Sequence, residues 1–396
     1  MTNLLSGRFR AINYLFLGYF CLFFHSHSYS QHIEVDDSKQ ITTSSLCSDF
    51  YAEAFNKNDK TYMHLPSKSV SGIINIPSER KFLSIPPVNP NASDEVKEVL
   101  EFLYRIRGEK IISGIHNELY SNKWTDYIID NTGKKPGLWG SDFRFGEFVQ
   151  YRQQMTDEAI RQWKEEHVLI TIMYHATRPM DPIDGIWRDA DTNEGVQGNL
   201  TDEQWEQLVT PGTEIHKQWL VHIDTVAEYL KQMRDANVPI LWRPYHEMNG
   251  GWFWWGKKEG ENGFVKLWKM MFDRYVNHHE LNNLIWVWNP NAPHDTADDY
   301  HLYFPGHDYV DVLATDIYRK DYKQAHHDDL LEIAGRKPIA IGETGPMISI
   351  DSLMKHQPYY VWYMGWRDLF TDQEEQHLKS LFTHPSVLNA PLRITE

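Results

Sequence analysis

Two glutamates, Glu247 and Glu343, sit in settings that suit paired carboxyl groups working on one bond. Glu247 closes the run Leu241-Trp242-Arg243-Pro244-Tyr245-His246-Glu247, and the chain then breaks at Asn249-Gly250-Gly251 and releases Trp252, Phe253, Trp254 and Trp255. Glu343 stands between glycines in Ile341-Gly342-Glu343-Thr344-Gly345. Two carboxyls about 5 to 5.5 Å apart suit double-displacement glycoside hydrolysis, whereas about 6.5 to 9.5 Å leaves room for a water and inversion. A Trp-rich loop is expected to shield Glu247, and desolvation raises a carboxyl pKa so that the group holds a proton to donate. The glycines beside Glu343 are expected to let a substrate approach, while Arg243 and the Tyr318 hydroxyl keep it ionised as a nucleophile. Indole rings, apolar on their faces and polar at the N–H edge, suit a pyranose ligand.

Other chemistries fit less well. His246-Glu247 begins like a zinc-protease motif, but position 250 is Gly instead of the second His. His278-His279 and His326-His327 lie in polar stretches and read as surface residues, so no metal site is expected. No Gly-rich phosphate loop follows the first strand, and Gly-x-Ser-x-Gly is absent. A net charge of −16 argues against nucleic acid or an acidic membrane surface as partner.

These groups need a frame that gathers them. Short apolar runs at Lys110–Ile115, Pro136–Ser141, Val168–His175, Val238–His246, Leu284–Trp288, Val310–Tyr318, Pro338–Glu343 and Tyr359–Trp366 alternate with helical stretches. The helices include Asp94 to Arg107, with Ser93 as cap, and Glu214 to Asn237, with Ile215, Trp219, Ile223, Val226, Leu230 and Met233 on one face. Eight such strands are the count of a single (β/α)8 TIM barrel, although a doubly wound sheet alternates similarly. The polar residues favour the barrel: Asp142, His175, Glu247, Asn289, Asp316, Tyr318, Glu343 and Trp366 each follow or end a strand, and a barrel brings all those ends to one rim. One difficulty concerns the fourth strand, where Arg243, Tyr245 and Glu247 fall on one side and His246 on the other. For both His246 and Glu247 to reach a common pocket, the strand end must twist or bulge.

The N-terminus reads as a secretory signal over residues 1–30, with Arg8 and Arg10 before an apolar run from Ala11 to Phe24. That run is too short for a comfortable membrane span. The reading implies secretion to an extracellular or periplasmic location, with no span in the mature chain and Cys47 as its one cysteine. Residues 31–90 read as an N-terminal extension, partly ordered at most, and residues 91–396 as the catalytic domain. The loop from Pro179 to Asn199 is expected at the rim.

Arg243-Pro244-Tyr245-His246-Glu247-Met248-Asn249-Gly250 with Trp252-Phe253-Trp254-Trp255-Gly256, followed by Gly342-Glu343-Thr344-Gly345, resembles glycoside hydrolase family 26, the β-mannanases. The resemblance runs from about Val88 to the C-terminus. It implies a secreted retaining enzyme that cleaves β-1,4-mannosidic linkages in mannan, glucomannan or galactomannan, with Glu247 as acid/base and Glu343 as nucleophile. It also implies substrate contacts from His175, Arg243, His246, Trp252, Asp316, Tyr318 and Trp366, with Tyr318 bonded to the nucleophile and Trp366 as floor under the sugar. Neither metal nor organic cofactor is required, and a monomer is expected. The alternatives are a family member acting on β-1,3-xylan or mixed-linkage β-glucan, and a non-catalytic glycan-binding protein on the same scaffold.

Overall fold

A computed structural model describes residues 84–189, 191–318 and 322–395; the leader, most of the extension and Cys47 lie outside the described residues. In chain order the elements are α1 Asp94–Ile106, β1 Ile111–His116, α2 Lys123–Thr132, β2 Leu138–Asp142, α3 Arg152–Glu166, β3 Leu169–Tyr174, α4 Asp202–Leu208 and α5 Glu214–Asp235. Beyond these lie β4 Ile240–Pro244, α6 Phe264–Asp273, β5 Leu284–Trp288, β6 Val312–Ile317, α7 Gln324–Ala334, β7 Ile339–Thr344, α8 Ile350–His356, β8 Tyr360–Trp366, α9 Arg367–Thr371, α10 Glu375–Thr383 and β9 Val387–Leu388. Strands β1 to β8 pair in parallel, each with its neighbours in sequence, and β1 pairs both β8 and β2, so the sheet closes as a (β/α)8 TIM barrel. All eight expected strands are present, with ends shifted by a few residues. The doubly wound alternative is excluded by the closure.

Alternation along the strands explains how the barrel is filled and how it presents chemistry. Inward positions run Leu241, Arg243 on β4, Val312, Ala314, Asp316 on β6 and Trp362, Met364, Trp366 on β8. The lower members of these series join one buried apolar cluster, which α1 completes from below with Val96, Val99, Leu100 and Leu103. The upper members are therefore polar or aromatic groups towards the C-terminal end, Arg243 and Asp316 just beneath the rim, resting on a packed floor. Ser93 caps α1 as expected, its side chain accepting from the Val96 N–H at 3.4 Å.

Outward strand positions pack against the helices in a second, larger cluster that includes Ile170, Ile172, Ile240, Trp242 and the inner face of α5. Within α5, Leu230 is fully buried and Val221 is 58% exposed. Leu230→Ala is expected to lower stability by about 2–5 kcal/mol, and Val221→Ala to change it by less than about 0.5 kcal/mol. Urea denaturation of the two variants checks the assignment of faces.

Candidate active site

Strand β4 ends at Pro244, and where a twist or bulge is expected the chain enters a turn. Tyr245 and Glu247 both adopt left-handed backbone, φ 48 and φ 53. Such strain persists only where surroundings hold it. Here the Glu247 N–H donates to the Asn289 carbonyl at 2.7 Å and its own carbonyl accepts from Gly250 N–H at 3.0 Å. The reversal at Tyr245 sends that ring outward, where its hydroxyl accepts from Trp219 Nε1 at 2.9 Å. Both His246 and Glu247 then face one cavity of about 530 Å³.

Glu343, delivered by β7, faces the same cavity. Arg243 Nη2 donates to its Oε1 at 2.7 Å, and the Tyr318 hydroxyl donates to Oε2 at 2.6 Å. Both carboxylate oxygens are thus occupied by donors. Arg243 continues to Asp316, with Nη1 3.6 Å from Oδ2. Burial works against the charge on Arg243, but Glu343 and Asp316 hold its pKa above the ordinary value. Burial and then the Glu343 charge push Asp316 well above the usual carboxylate range.

Glu247 has two neutral donors in place of a guanidinium and a phenol. Burial, with the Glu343 charge adding to it, pushes its pKa up to about 7, against hydrogen bonds from Asn291 and Trp252. Asn291 Nδ2 donates to Oε1 at 2.7 Å and Trp252 Nε1 to Oε2 at 2.6 Å. His246 is driven well below its ordinary pKa by burial, then by His175 and Arg243, so its ring is neutral. His246, Glu247 and Asp316 bring ligand-type atoms within 4.8 Å of one another. Arg243 already supplies positive charge beside them, which repels a metal dication.

The remaining wall comes from other strand ends. His175 directs Nδ1 at Asp142 Oδ2, 2.6 Å away. Burial opposes the charge on Asp142, yet His175 and Arg144 hold its carboxyl well below the usual range. Trp366 stacks on His116 with ring centroids 4.2 Å apart at 20°. A second cavity of about 780 Å³ lies beside the first, sharing Trp252 and Tyr318 with it and otherwise lined from the loops after β5, β7 and β8. No helix among the described residues is long and apolar enough to cross a membrane.

Residues 88–391 match the model of glycosyl hydrolase family 26. The chain belongs to that family. It is 32% identical over 317 residues to a mannan endo-1,4-beta-mannosidase of Thermothelomyces thermophilus, a match that covers 76% of this chain and 61% of the relative. To mannan endo-1,4-beta-mannosidase A of a Piromyces species it is 30% identical, covering 76% of this chain and 49% of the relative. The matched region thus spans about half of one relative and about three fifths of the other. Among solved structures, GH26A from Muricauda sp. MAR_2010_75 superposes with a TM-score of 0.73 at 40% identity, covering 76% of this chain and 98% of that one. The Podospora anserina GH26-CBM35 beta-(1,4)-mannanase superposes at 0.66 with 27% identity, covering 79% of this chain and 70% of that one.

In this family 26 barrel, Glu247, Glu343, His175, His246, Trp252, Tyr318 and Trp366 share the cavity wall. Arg243 and Asp316, expected at the sugar, are instead 1% and 0% exposed and stand behind Glu343, because inward β4 and β6 positions one layer down point into the barrel. Trp254 and Trp255 are corrected likewise: at 1% and 0% exposure they are packing residues, with indole N–H groups donating to the carbonyls of Ala176 and His246 at 2.9 and 2.8 Å. His279, His326 and His327 are buried, contrary to expectation, each with a polar partner: Asp224, the Pro293 carbonyl and Asp328. Wall residues that the sequence reading missed are His116, Arg144, Phe145, Phe148, Trp187, Gln197 and Arg367. The first strand runs one residue past the expected Ile115, and that residue is His116.

Gly342 also differs from expectation. It makes room for protein, not for substrate, since a Cβ there would stand 1.7 Å from Asn289 Oδ1 and 2.7 Å from Asp316 Oδ1. Gly342→Ala is expected to displace Glu343 and to reduce activity by more than about tenfold, measured as kcat/KM beside a thermal melt.

Proposed function

We propose that this chain is a retaining glycoside hydrolase that cleaves β-1,4-mannosidic linkages in mannan, glucomannan or galactomannan. The observation that carries the reading is the asymmetry of two carboxyl groups in one cavity. Glu343 is held by Arg243 and Tyr318 at 2.7 and 2.6 Å, while Glu247 is pushed up to about 7. That is the separation of roles a nucleophile and a proton donor require. The names of the relatives supply the substrate class.

In the first step a Glu343 oxygen attacks the anomeric carbon as Glu247 gives its proton to the glycosidic oxygen. The glycosidic bond breaks, the leaving chain departs as an alcohol, and an ester joins Glu343 to the sugar. In the second step Glu247, now a carboxylate, takes a proton from water as the water oxygen attacks the same carbon. The ester bond breaks, Glu343 is released, and two displacements restore the original configuration. His175, His246, Trp252 and Trp366 bind the sugar in this scheme; Arg243 and Tyr318 hold Glu343, and Asp316 stands against Arg243 behind it. No cofactor takes part. Residues 1–30 act as a leader removed on export, residues 31–90 as an extension and residues 91–396 as the catalytic domain of a secreted monomer.

Glu343→Ala is expected to abolish turnover, by more than about 1,000-fold, while oligosaccharide binding stays measurable by calorimetry. A variant with near-normal rate rejects double displacement. Reducing-sugar release from a panel of β-glycans tests the substrate: cleavage of β-1,3-xylan or mixed-linkage glucan without mannan rejects the linkage assigned here, and cleavage of none favours a binding protein.

The protonated form of Glu247 is present below its pKa of about 7 and is lost above it, so kcat/KM falls as pH rises through that value. The Trp252 N–H favours the carboxylate, so its removal raises the Glu247 pKa further. Trp252→Phe is therefore expected to move the alkaline limb of the pH profile upward; an unmoved or lowered limb argues against Glu247 as donor.

A further inference from the structure

The barrel mouth continues past the first cavity on the side of β1 and β2. A short 3-10 turn, Gly146–Tyr151, comes after β2. Side chains three apart in such a turn lie one above the other, so Phe148 and Tyr151 share a face. Phe148 lines the cavity, with the Arg144 guanidinium 4.4 Å from its ring centroid. Tyr151 in turn meets Tyr120, with centroids 5.7 Å apart at 51°.

Tyr120 is 47% exposed, and its position is built. Leu119 before it is buried in left-handed backbone, φ 55, with its carbonyl accepting from Ser141 Oγ at 2.7 Å. That reversal tucks the leucine inward and turns the tyrosine out. On the other side Glu118 pairs with Arg367, itself part of the cavity wall. A strained loop tied to the site at two points, presenting an aromatic ring to solvent, is more than packing requires.

We propose that Phe148, Tyr151 and Tyr120 form an aromatic strip that carries further pyranose units of the substrate chain beyond the cavity. The proposal rests on the glycan-hydrolase reading and adds to it where a longer chain lies. Three features choose a glycan as occupant. The strip is continuous with the cavity that holds the paired carboxyls. Its rings offer apolar faces on which sugar faces can lie, and Tyr151 and Tyr120 add hydroxyl edges. It also follows β1 and β2, whereas the second cavity is lined by residues that follow β4 to β8, so a chain crossing the mouth can reach both.

The test compares long-chain soluble mannan with mannotriose for the wild type, Tyr120→Ala, Tyr151→Ala and Tyr120→Phe. The ratio of kcat/KM on mannan to kcat/KM on mannotriose is expected to fall about fivefold or more in each alanine variant, and to stay near the wild-type ratio in Tyr120→Phe, which keeps the ring. In parallel, the dominant cleavage position in end-labelled mannohexaose is expected to shift in the alanine variants. An unchanged ratio, or equal losses on both substrates, overturns the strip. A wild-type protein that cleaves neither mannan nor mannohexaose overturns the underlying functional reading instead, a result that the variants do not mimic.

Discussion

Arg243 places a cation among three buried carboxyl groups, and the geometry of the site depends on that. Its Nη2 bonds Glu343 at 2.7 Å, its Nη1 stands 3.6 Å from Asp316, and its charge also lowers the cost of ionising Glu247. Removing one partner of a buried pair leaves a charge without compensation and costs about 3–5 kcal/mol. The arrangement is accordingly costly to disturb. It sets Glu343 and Glu247, facing one cavity, in different company: one carboxylate takes a guanidinium and a phenol, while the other takes an indole and an amide N–H beside the Glu343 charge.

The strained turn after β4 solves a geometric problem that a regular strand cannot. Alternation would place Tyr245 with Glu247 and against His246. Left-handed backbone at two positions breaks that pattern, buries the tyrosine among the helices and leaves both polar groups at the mouth. The backbone bond from Glu247 to the Asn289 carbonyl ties the turn to β5, and Asn291, two residues on, holds the acid itself. Strands four and five therefore act as one unit in setting the Glu247 carboxyl.

The architecture was legible in the chain because apolar runs of strand length ended in reactive residues seven times over. Side-chain depth was not legible. Arg243 and Asp316 are motif residues, yet which layer of the barrel they occupy depends on strand tilt and register, including the shift between Thr315 and Asp316. Trp254 and Trp255 look in sequence like Trp252, and only the fold of the loop decides which indole faces solvent. The buried histidines were misread for a similar reason, since a polar neighbourhood in sequence says little about which side of a helix meets the barrel. The one-residue extension of β1 to His116 lay within the ordinary uncertainty of strand ends.

The short strand β9 has its own bearing on how the barrel comes into being. Val387 and Leu388 pair with Ile111 and Ile112, and Ser113 Oγ reaches the Leu388 carbonyl 275 residues later in the chain. On a ribosome, the first strand emerges long before this neighbour exists. Its lower edge stays open throughout that interval, a template for stray pairing with other nascent chains. Vectorial synthesis therefore leaves that edge of β1 unpaired until residues 387 and 388 have been made.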